Sequence, residues 1–382
     1  MTRDIYRELG VRTVINAAGT YTMVGGSRMS EATLEAMASA AQSHVVIKEL
    51  QEKVHGRLAS LTRNEAAFVT NGAAAALHVA GAAAIAQKKG RPFQTLSREQ
   101  IEKSEIIVHR AHRNPYDWSL RLLNCSLVEI GYPNMILPTV KEDLEYAITE
   151  NTAAVFYFFM PPGGWTARGA LSLEETIEVA SRRGVPVIVD AAAQVPPAEN
   201  LWKLTGLGAE ACIFSGGKDL RGPQASGLMV GRKEFFSWVE RTAFPTYGVG
   251  RMFKVGREEI VGLLAAVEQY VSSDGEERVR WAEERIAGAV RAFSDNPVVK
   301  AERVFPNEAG QPFPQMVFRF NRPGCAGEVL KLLMEGEPAV FTMAADGESV
   351  FANPMTLRDG EIDAIINRIR EIGALFAGRE GK

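Results

Sequence analysis

Short apolar runs alternate with helical stretches between residues 66 and 231. Most of these runs are apolar at every position rather than at alternate positions, which is typical of strands in a parallel sheet covered on both faces. Between two of the runs, Ser172 and Glu175 form a capping box that begins a helix, and Gly184 ends it. The pattern predicts an α/β fold with a largely parallel sheet. The predicted strands are residues 66–69, 106–108, 126–130, 153–160, 185–189, 211–214 and 228–230.

The pattern changes after about residue 256, where long amphipathic stretches precede isolated strands. Two long helices, a strand, a hairpin turning at Asp346-Gly347 and a closing helix are predicted there, which makes this region a smaller α+β domain. These elements are residues 257–271, 276–293, 315–320, 339–343 with 349–351, and about 359–376. The predicted domains are an N-terminal segment at residues 1–50 that joins the small domain, a large domain at 51–255 and a C-terminal small domain at 256–382.

The composition limits the classes of protein to which the chain can belong. The 382 residues are 46% hydrophobic and 23% charged, and the net charge of −3 gives no general attraction to nucleic acid or to an anionic membrane. The longest apolar runs, 79–86 and 153–160, are far shorter than the ~20 residues that span a bilayer. The N-terminus has no apolar signal core. Cys125, Cys212 and Cys325 have no paired spacing, which argues against disulfides and a zinc site and favours the cytoplasm.

A lysine and an aspartate follow two of the predicted strands. Gly216 and Gly217 separate the run at 211–214 from Lys218, so rigid backbone is expected to hold this lysine with limited access to water. Desolvation lowers the pKa of an amine, which makes it an imine-forming nucleophile. Asp190 ends the run at 185–189. Such a pair is what pyridoxal 5′-phosphate (PLP) requires, because the lysine binds it covalently and the carboxylate faces the pyridine nitrogen.

Other interpretations of the same residues exist. A lysine after a Gly-Gly turn is commonly a surface lysine, and a strand-end aspartate is commonly a helix cap, so the spacing alone leaves a purely structural pair open. A nucleotide-binding P-loop is excluded, because it needs glycine where Cys212 stands and Ser or Thr where Asp219 stands.

Two further segments bear on a ligand at the same sheet edge. The turn Asn71-Gly72-Ala73-Ala74 begins an alanine-rich helix, where small residues let backbone N–H groups approach an anion. His109 and His112 follow the strand at 106–108, so one of them is expected to stack on a cofactor ring, with ordinary hydrogen bonding as the alternative. The stretch at 110–121 also has the composition of a basic-aromatic nucleic-acid patch, but one short cluster in a chain of net negative charge does not favour it.

The segments that carry a family resemblance are residues 14–20, 70–74, 112–113, 116–117, 190–194, 215–224, 250–251 and 254–256. Together they resemble fold-type I PLP enzymes of the group related to bacterial selenocysteine synthase, and within it the D-glucosaminate-6-phosphate ammonia-lyases. The resemblance covers nearly the whole chain and is more specific for fold and cofactor than for substrate. It implies a PLP-dependent transferase-like large domain with a mostly parallel sheet, and a smaller α+β C-terminal domain.

The resemblance also implies roles for single residues. Lys218 is expected to bind PLP covalently, Asp190 to face the pyridine nitrogen and His112 to stack on the ring, and these three are the expected catalytic residues. The other expected cofactor contacts are Asn71, Gly72, Ala73, Ala74, Gln194 and Ser215. The expected cations for a substrate phosphate or a neighbouring subunit's phosphate are Arg113, Arg251 and Lys254. No metal is expected.

The implied reaction is elimination of water and ammonia from a 2-amino-3-hydroxy acid, giving a 2-keto-3-deoxy acid. The substrate class is an amino acid or an amino sugar acid, phosphorylated or not. A selenocysteine synthase-like selenium transferase, an aminotransferase, a racemase and a non-catalytic PLP-binding regulator remain alternatives. The segment at 337–343 lacks an arginine for the substrate carboxylate, for which Arg319 and Arg358 are the candidate replacements.

Expectations about partners follow from the same resemblance. The family pattern begins by Val14, without the N-terminal tRNA domain of bacterial selenocysteine synthases, so no specific nucleic-acid binding is expected. No membrane partner is expected either. The resemblance implies a homo-oligomer built from dimers, in which residues 248–256 complete the site of a neighbouring subunit.

Overall fold

A computed structural model describes residues 4–160 and 166–380, which form two compact units. The larger unit is Ser27–Ser273 with Glu308–Gln311, and the smaller unit is the remainder of the described chain. The strands are β1 (Ile15–Asn16), β2 (Ala66–Thr70), β3 (Glu105–His109), β4 (Ser126–Ile130), β5 (Thr152–Phe158), β6 (Val187–Asp190), β7 (Ala211–Ser215), β8 (Gly227–Gly231), β9 (Val299–Val304), β10 (Gln315–Phe320), β11 (Val340–Phe341) and β12 (Ser349–Ala352). The helices are α1 (Ile5–Glu8), α2 (Glu31–Ala41), α3 (Ile47–Leu61), α4 (Gly72–Lys89), α5 (Arg98–Glu102), α6 (Trp118–Arg121), α7 (Lys141–Ala147), α8 (Leu173–Arg182), α9 (Asn200–Gly206), α10 (Lys233–Thr242), α11 (Arg257–Ser272), α12 (Gly275–Ala292), α13 (Ala326–Glu335) and α14 (Glu361–Glu380).

The larger unit is built on a seven-stranded sheet with the order β2-β8-β7-β6-β5-β3-β4. β8 runs antiparallel to both of its neighbours, and the other paired strands are parallel. Each of the seven strands predicted between residues 66 and 231 is present in this sheet. The prediction of a mostly parallel α/β sheet is confirmed.

Both faces of the sheet are buried, which explains why its strands are apolar at consecutive positions. In β6, Ile188 belongs to an apolar cluster on one face, while Val187 and Val189 belong to a cluster on the other face. Successive side chains of a strand point to opposite faces, so two covering layers require an uninterrupted apolar run. One layer includes α4, whose residues from Ala75 to Ala86 are all buried.

The smaller unit contains an antiparallel sheet with the order β12-β10-β9 and a separate parallel pair of β1 with β11. Helices α12, α13 and α14 supply apolar side chains to its core. The two sides of the predicted hairpin at Asp346-Gly347 pair antiparallel, through a bridge between Ala344 and Val350 and a hydrogen bond from the N–H of Phe351 to the carbonyl of Met343 at 3.2 Å. The longer pairings of the flanking strands are with other strands, since β11 pairs in parallel with β1 and β12 pairs with β10.

The units divide at positions other than the predicted residues 50 and 255. α2 and α11 both belong to the larger unit, where they pack on each other. The guanidinium of Arg257 donates to the carbonyl of Ala40 at 2.9 Å, and the side chain of Gln269 donates to Thr33 Oγ1 at 3.2 Å. These contacts hold both helices in the larger unit. Its main segment therefore begins before α2 and ends after α11. Among the described helices, none combines the length and apolar character that a membrane crossing requires.

Candidate active site

The carboxyl ends of β6 and β7 bring together the predicted aspartate and lysine. Asp190 is the last residue of β6, and it pairs in parallel register with Ile213 of β7. β7 ends at Ser215, and Lys218 follows in the next turn. The charges of Asp190 and Lys218 act on each other's pKa, so the two side chains lie within electrostatic range. This edge is where ligands bind in open α/β sheets.

The turn that carries Lys218 is held by close packing. A Cβ on Gly217 would lie 2.6 Å from Cα of Gln224, and a Cβ on Gly216 would lie 2.0 Å from Ser226 Oγ. The hydroxyl of Ser27 donates to the carbonyl of Lys218 at 2.6 Å. The backbone of Lys218 is therefore fixed from both sides, as the glycine turn in the sequence predicted.

Burial acts in opposite directions on the two charged side chains. It raises the pKa of Asp190, an effect that the Ala192 N–H (3.0 Å from Oδ1) and the charge of Lys218 partly offset. Burial lowers the pKa of Lys218, and the charge of Asp190 offsets part of that shift. Lys218 therefore has a larger neutral fraction at neutral pH than an exposed lysine, as a nucleophilic amine requires.

His112 forms part of the wall beside this pair. It lies in the 3-10 helix Arg110–His112 after β3, and its ring packs edge-on against Tyr157 with centroids 4.6 Å apart. Burial, assisted by the charge of His109, lowers the pKa of His112 to about 3, so the ring is neutral at neutral pH. Its Nδ1 is buried and has no hydrogen-bond partner within the described residues. Nδ1 of the neighbouring His109 is unpaired in the same way, but only His112 lines the pocket, so its Nδ1 is available to a bound molecule.

The predicted phosphate turn joins β2 to α4. Gly72 begins α4 with a φ of +80°, a backbone conformation that glycine adopts without strain. A Cβ on Gly227 would lie 2.5 Å from the carbonyl carbon of Gly72, so this part of the sheet also requires glycine. The side chain of Asn71 does not cap α4; it donates to the carbonyl of Lys254 at 3.0 Å. Ala73 and Ala74 continue the first turn, whose N–H groups suit an anion.

Ser215 and Gln194 both lie near the end of β6, but they make different contacts. The N–H of Ser215 donates to the carbonyl of Ala192 at 3.2 Å, which ties the end of β7 to the segment after Asp190. Gln194 is buried, and its side chain donates to the carbonyl of Ala309 at 3.4 Å. The structure thus brings Ser215 to this edge and gives Gln194 a structural hydrogen bond.

Two of the three predicted cations are exposed. The guanidinium of Arg251 lies over the rings of Phe244 and Tyr247, 5.5 and 5.7 Å from their centroids. Lys254 is exposed, and its carbonyl meets Asn71 of the phosphate turn. The segment that contains both cations therefore adjoins this turn within the larger unit.

Arg113 has different surroundings from the other two cations. It forms ion pairs with Asp117 and with Glu129, and its side chain is only 27% exposed. Two carboxylates therefore already balance its charge, which argues against a second role in binding a phosphate.

Several contributing side chains were given no role from sequence. Asp117 lines the pocket and its charge raises the pKa of Asp190. Tyr157 packs on His112, and its hydroxyl donates to the carbonyl of Leu171 at 3.1 Å. The signal for Asp117 is its spacing of four residues from Arg113, which favours an ion pair. A tyrosine inside an apolar strand likewise indicates a buried hydroxyl with a partner.

A pocket in the larger unit is lined by Asp190 and His112, and Lys218 follows the neighbouring strand β7; the chemistry of these three residues fits PLP. Asp190 supplies a buried carboxylate for a pyridine nitrogen, and His112 supplies a neutral ring for its face. Lys218 supplies a partly neutral amine for a covalent bond. Asn114, Tyr116, Asp117 and Tyr157 also line the pocket, and apolar side chains complete the wall for an aromatic ring. These apolar residues are Leu77, Val108, Leu120, Phe156 and Phe158.

Known proteins support the same assignment of fold and cofactor. The family model described as SelA, L-seryl-tRNA selenium transferase, matches residues 14–280. The D-glucosaminate-6-phosphate ammonia lyase of Salmonella typhimurium is 31% identical over 97% of this chain and 98% of its own length. The 5′-C-glycyluridine monooxygenase-decarboxylase of a Streptomyces species is 29% identical over 96% and 91%. The L-seryl-tRNA(Sec) selenium transferase of Clostridium perfringens is 27% identical over 70% of this chain and 58% of its own length.

Solved structures agree with these sequence relatives. The structure of a D-glucosaminate-6-phosphate ammonia-lyase superposes with a TM-score of 0.82 at 29% identity, and covers 99% of this chain and 100% of that chain. A structure of SPT with PLP superposes with a TM-score of 0.60 at 12% identity, covering 95% and 88%, which shows the shared fold. The fold type and cofactor expected from the sequence are confirmed. By its match over residues 14–280, the chain belongs to the SelA, L-seryl-tRNA selenium transferase, family and is a PLP-dependent enzyme of fold type I.

Proposed function

We propose that this enzyme is an ammonia-lyase that converts a 2-amino-3-hydroxy acid into a 2-keto-3-deoxy acid. The observation that carries the proposal is the pairing of Asp190 and Lys218 at neighbouring strand ends, beside a pocket with a neutral buried His112. The choice of reaction is supported by the relative named D-glucosaminate-6-phosphate ammonia lyase, which matches over nearly the full length of both chains.

Separate residues hold the separate parts of PLP in this proposal. Lys218 binds it covalently, Asp190 faces the ring nitrogen and His112 covers one face of the ring. The N–H groups of the turn Asn71-Gly72-Ala73-Ala74, together with Ser215, bind the phosphate group. Once bound, PLP supplies an electron sink for the charge that forms when a proton leaves the α-carbon of the substrate.

Lys218 moves the proton in the proposed reaction. With the substrate amine in its place on PLP, Nζ of Lys218 would be free to act on the α-proton, and burial, which lowers its pKa, favours the neutral form that a base needs. The neutral amine accepts the α-proton as a general base. The rigid turn of Gly216 and Gly217 limits the loss of orientation when the amine is released.

Asp190 stabilises positive charge at the ring nitrogen. Its carboxylate is buried and accepts a hydrogen bond from the N–H of Ala192 at 3.0 Å. Because burial raises the pKa of Asp190, a cationic partner is favourable, and a protonated ring nitrogen is such a partner.

The overall reaction balances without an oxidant or a reductant. The α-proton leaves to Lys218, and the 3-hydroxyl leaves as water with a proton from a general acid. Water then hydrolyses the resulting enamine to the keto acid and ammonia. The net change is loss of ammonia, since one water leaves and one is consumed.

We propose Arg251 and Lys254 as the cations for a phosphorylated substrate, since Arg113 is already paired with two carboxylates. Both are exposed and belong to the segment at 248–256, which we propose to complete the site of a neighbouring subunit in a homo-oligomer built from dimers. We also propose a cytoplasmic location, which is supported by three free cysteines, Cys125, Cys212 and Cys325.

A substrate screen tests the proposed reaction. Purified protein loaded with PLP is mixed with 2-amino-3-hydroxy acids, both amino acids and amino sugar acids, each with and without a phosphate group. Release of ammonia and of a keto acid in equal amounts, without an added keto-acid acceptor, supports the elimination. Keto acid formed only when an acceptor is added would instead show an aminotransferase, and inversion at the α-carbon without ammonia would show a racemase.

Selenium transfer is the second candidate, because the family model is that of the seryl-tRNA selenium transferases. A gel-shift titration with seryl-tRNA at increasing salt separates the two, since non-specific binding weakens steeply with salt. Tight, salt-resistant binding would place selenium transfer first. An oxygen electrode adds a third arm to the screen, because one relative is named a monooxygenase-decarboxylase.

A further inference from the structure

Arg113 lies at the edge of the pocket, where its guanidinium pairs with two carboxylates of the same chain. Its Nε pairs with Asp117 and its Nη1 pairs with Glu129 of β4, and the three side chains are 27%, 14% and 33% exposed. Arg110 also pairs with Glu129, at 3.2 Å, so two guanidiniums and two carboxylates balance each other at this edge. The arrangement is unlike an open cation that awaits a phosphate.

The turn between His112 and Asp117 is fixed around this ion pair. The side chain of Asn114 donates to the carbonyl of His112 at 2.9 Å, and its N–H donates to Asp117 Oδ2 at 3.2 Å. The N–H of Tyr116 donates back to Asn114 Oδ1 at 2.8 Å. Asp117 Oδ2 thus receives both Arg113 and a backbone N–H, so its position and that of His112 are set together.

Asp117 lies on the pocket wall together with His112 and Asp190. We propose that Arg113 is a positioning residue, which holds the Asp117 carboxylate at the wall of the PLP pocket and balances its charge there. This inference rests on the proposed place of PLP between His112 and Asp190. It replaces the assignment of Arg113 as a phosphate ligand.

The charges around Asp117 show what Arg113 changes. The negative charge of Asp117 raises the pKa of Asp190, whereas Lys218 lowers it. Without Arg113, no ion-pair partner among the described residues would balance the negative charge that Asp117 places at the pocket wall. The titratable and charged groups around it are Arg113, Arg110, Glu129, His109, His112, Tyr157, Asp190 and Lys218.

The visible absorption band of the bound cofactor reports this charge. A nearby negative charge stabilises the protonated form of the chromophore and raises the pH midpoint of its spectral change. Arg113→Met should therefore raise that midpoint by about one pH unit, the size expected for one unbalanced charge at close range. Asp117→Asn should lower it, because Arg113 then retains only Glu129.

The experiment uses the PLP-loaded protein and four variants. They are Arg113→Met, Asp117→Asn, the double variant of both, and Arg110→Met as the matched control. Arg110 pairs with Glu129 at 3.2 Å and, within the described part of the chain, forms no ion pair with Asp117, so its loss should leave the midpoint unchanged. The double variant should return the midpoint toward the native value. The dissociation constant for PLP, measured on the cofactor-free protein, is the second readout.

Each outcome decides the inference. A midpoint that rises in Arg113→Met and returns in the double variant supports it, because a merely structural loss would not be reversed by removing Asp117. An unchanged midpoint together with weaker binding of inorganic phosphate overturns it in favour of a phosphate ligand. If Arg113→Met fails to fold, Asp117→Asn alone decides, and an unchanged midpoint there overturns the inference. A native protein without any visible PLP band would overturn the proposed site itself, which is a different failure.

Discussion

Asp190 and Lys218 stand at neighbouring carboxyl ends of the same sheet, one closing β6 and the other following β7, and each charge reduces the effect of burial on the other. Each side chain depends on the other for this reduction in the effect of burial on its pKa. A buried carboxylate without the lysine would more readily take up a proton, and a buried amine without the carboxylate would more readily lose one. The arrangement places an amine within electrostatic range of a carboxylate, and each charge opposes the pKa shift that burial causes in the other.

Removing the amine should abolish the chemistry. We expect Lys218→Ala to lose the visible absorbance of covalently bound PLP and to reduce turnover by at least about a thousandfold, as loss of a covalent catalytic group does. Absorption spectra and a keto-acid assay measure the two effects. Lys233→Ala, at the exposed start of α10, is the matched control. A Lys218→Ala protein that keeps the band and the turnover would contradict the assignment.

Removing the charge of Asp190 should slow turnover less than removing the amine of Lys218. Asp190→Asn keeps the shape of the side chain but cannot stabilise a protonated ring nitrogen, so we expect PLP to bind with altered absorbance. Turnover should fall by roughly 10²- to 10³-fold, the loss typical of one preorganised electrostatic contact. Spectra and rates are compared with those of Asp190→Glu, which retains the charge. Equal activity of Asp190→Asn and the native protein would exclude the proposed role.

The glycines of the lysine turn should be sensitive to a single added carbon. A Cβ on Gly217 would lie 2.6 Å from the backbone of Gln224, so Gly217→Ala should cost about 1–3 kcal/mol of unfolding free energy and disturb the position of Lys218. Denaturant unfolding and PLP absorbance measure both effects.

Gly56→Ala is the matched control for this substitution. Gly56 lies within α3 with nothing within 4 Å of its added Cβ, so alanine there should raise the unfolding free energy by about 0.5–1 kcal/mol. If both variants change stability in the same direction, the close packing at Gly217 is not what matters.

The sequence predicted the aspartate because it ends an apolar run, and the lysine because a short glycine turn joins it to another such run. It did not predict β9, since Lys300 and Glu302 alternate with buried Val299 and Ala301. Nor did it predict that Ser27 holds the carbonyl of Lys218, because nothing local marks a contact between residues 191 positions apart. Nor did it predict the ion pair of Arg113 with Glu129, which reaches it from a different strand.

Buried histidines should make the protein less stable in mild acid. Burial lowers the pKa of His55 to about 3, and its Nε2 accepts a hydrogen bond from the N–H of Val69 at 3.1 Å. The unfolded chain takes up a proton near pH 6.5 whereas the folded chain does not, so stability is lost as the pH falls from about 6.5 toward 3. At pH 5.5 the loss should be about 1 kcal/mol for this group.

Thermal unfolding at pH 7.5 and pH 5.5 measures this effect. His55→Gln keeps an oxygen that can accept from Val69 but does not titrate, so its melting temperature should fall less between the two pH values. His44→Gln, at an exposed position, is the control. A native-sized fall in His55→Gln would show that other groups cause the acid sensitivity.

Shared sites between subunits should allow two inactive variants to restore activity together. The segment at 248–256 adjoins the phosphate turn through the hydrogen bond from Asn71 to Lys254, and its cations Arg251 and Lys254 are exposed. If a neighbour supplies these cations, the double variant Arg251→Ala, Lys254→Ala and the variant Lys218→Ala are each inactive for different reasons. Hybrid dimers then contain one site with both intact parts.

An equal mixture of the two variants, unfolded and refolded together, should regain about a quarter of native activity, because half of the dimers are hybrids with one working site. Mixing the two variants without subunit exchange is the control and should stay inactive. No recovery after proven exchange would mean that each chain completes its own site, and a monomer in sedimentation would end the proposal.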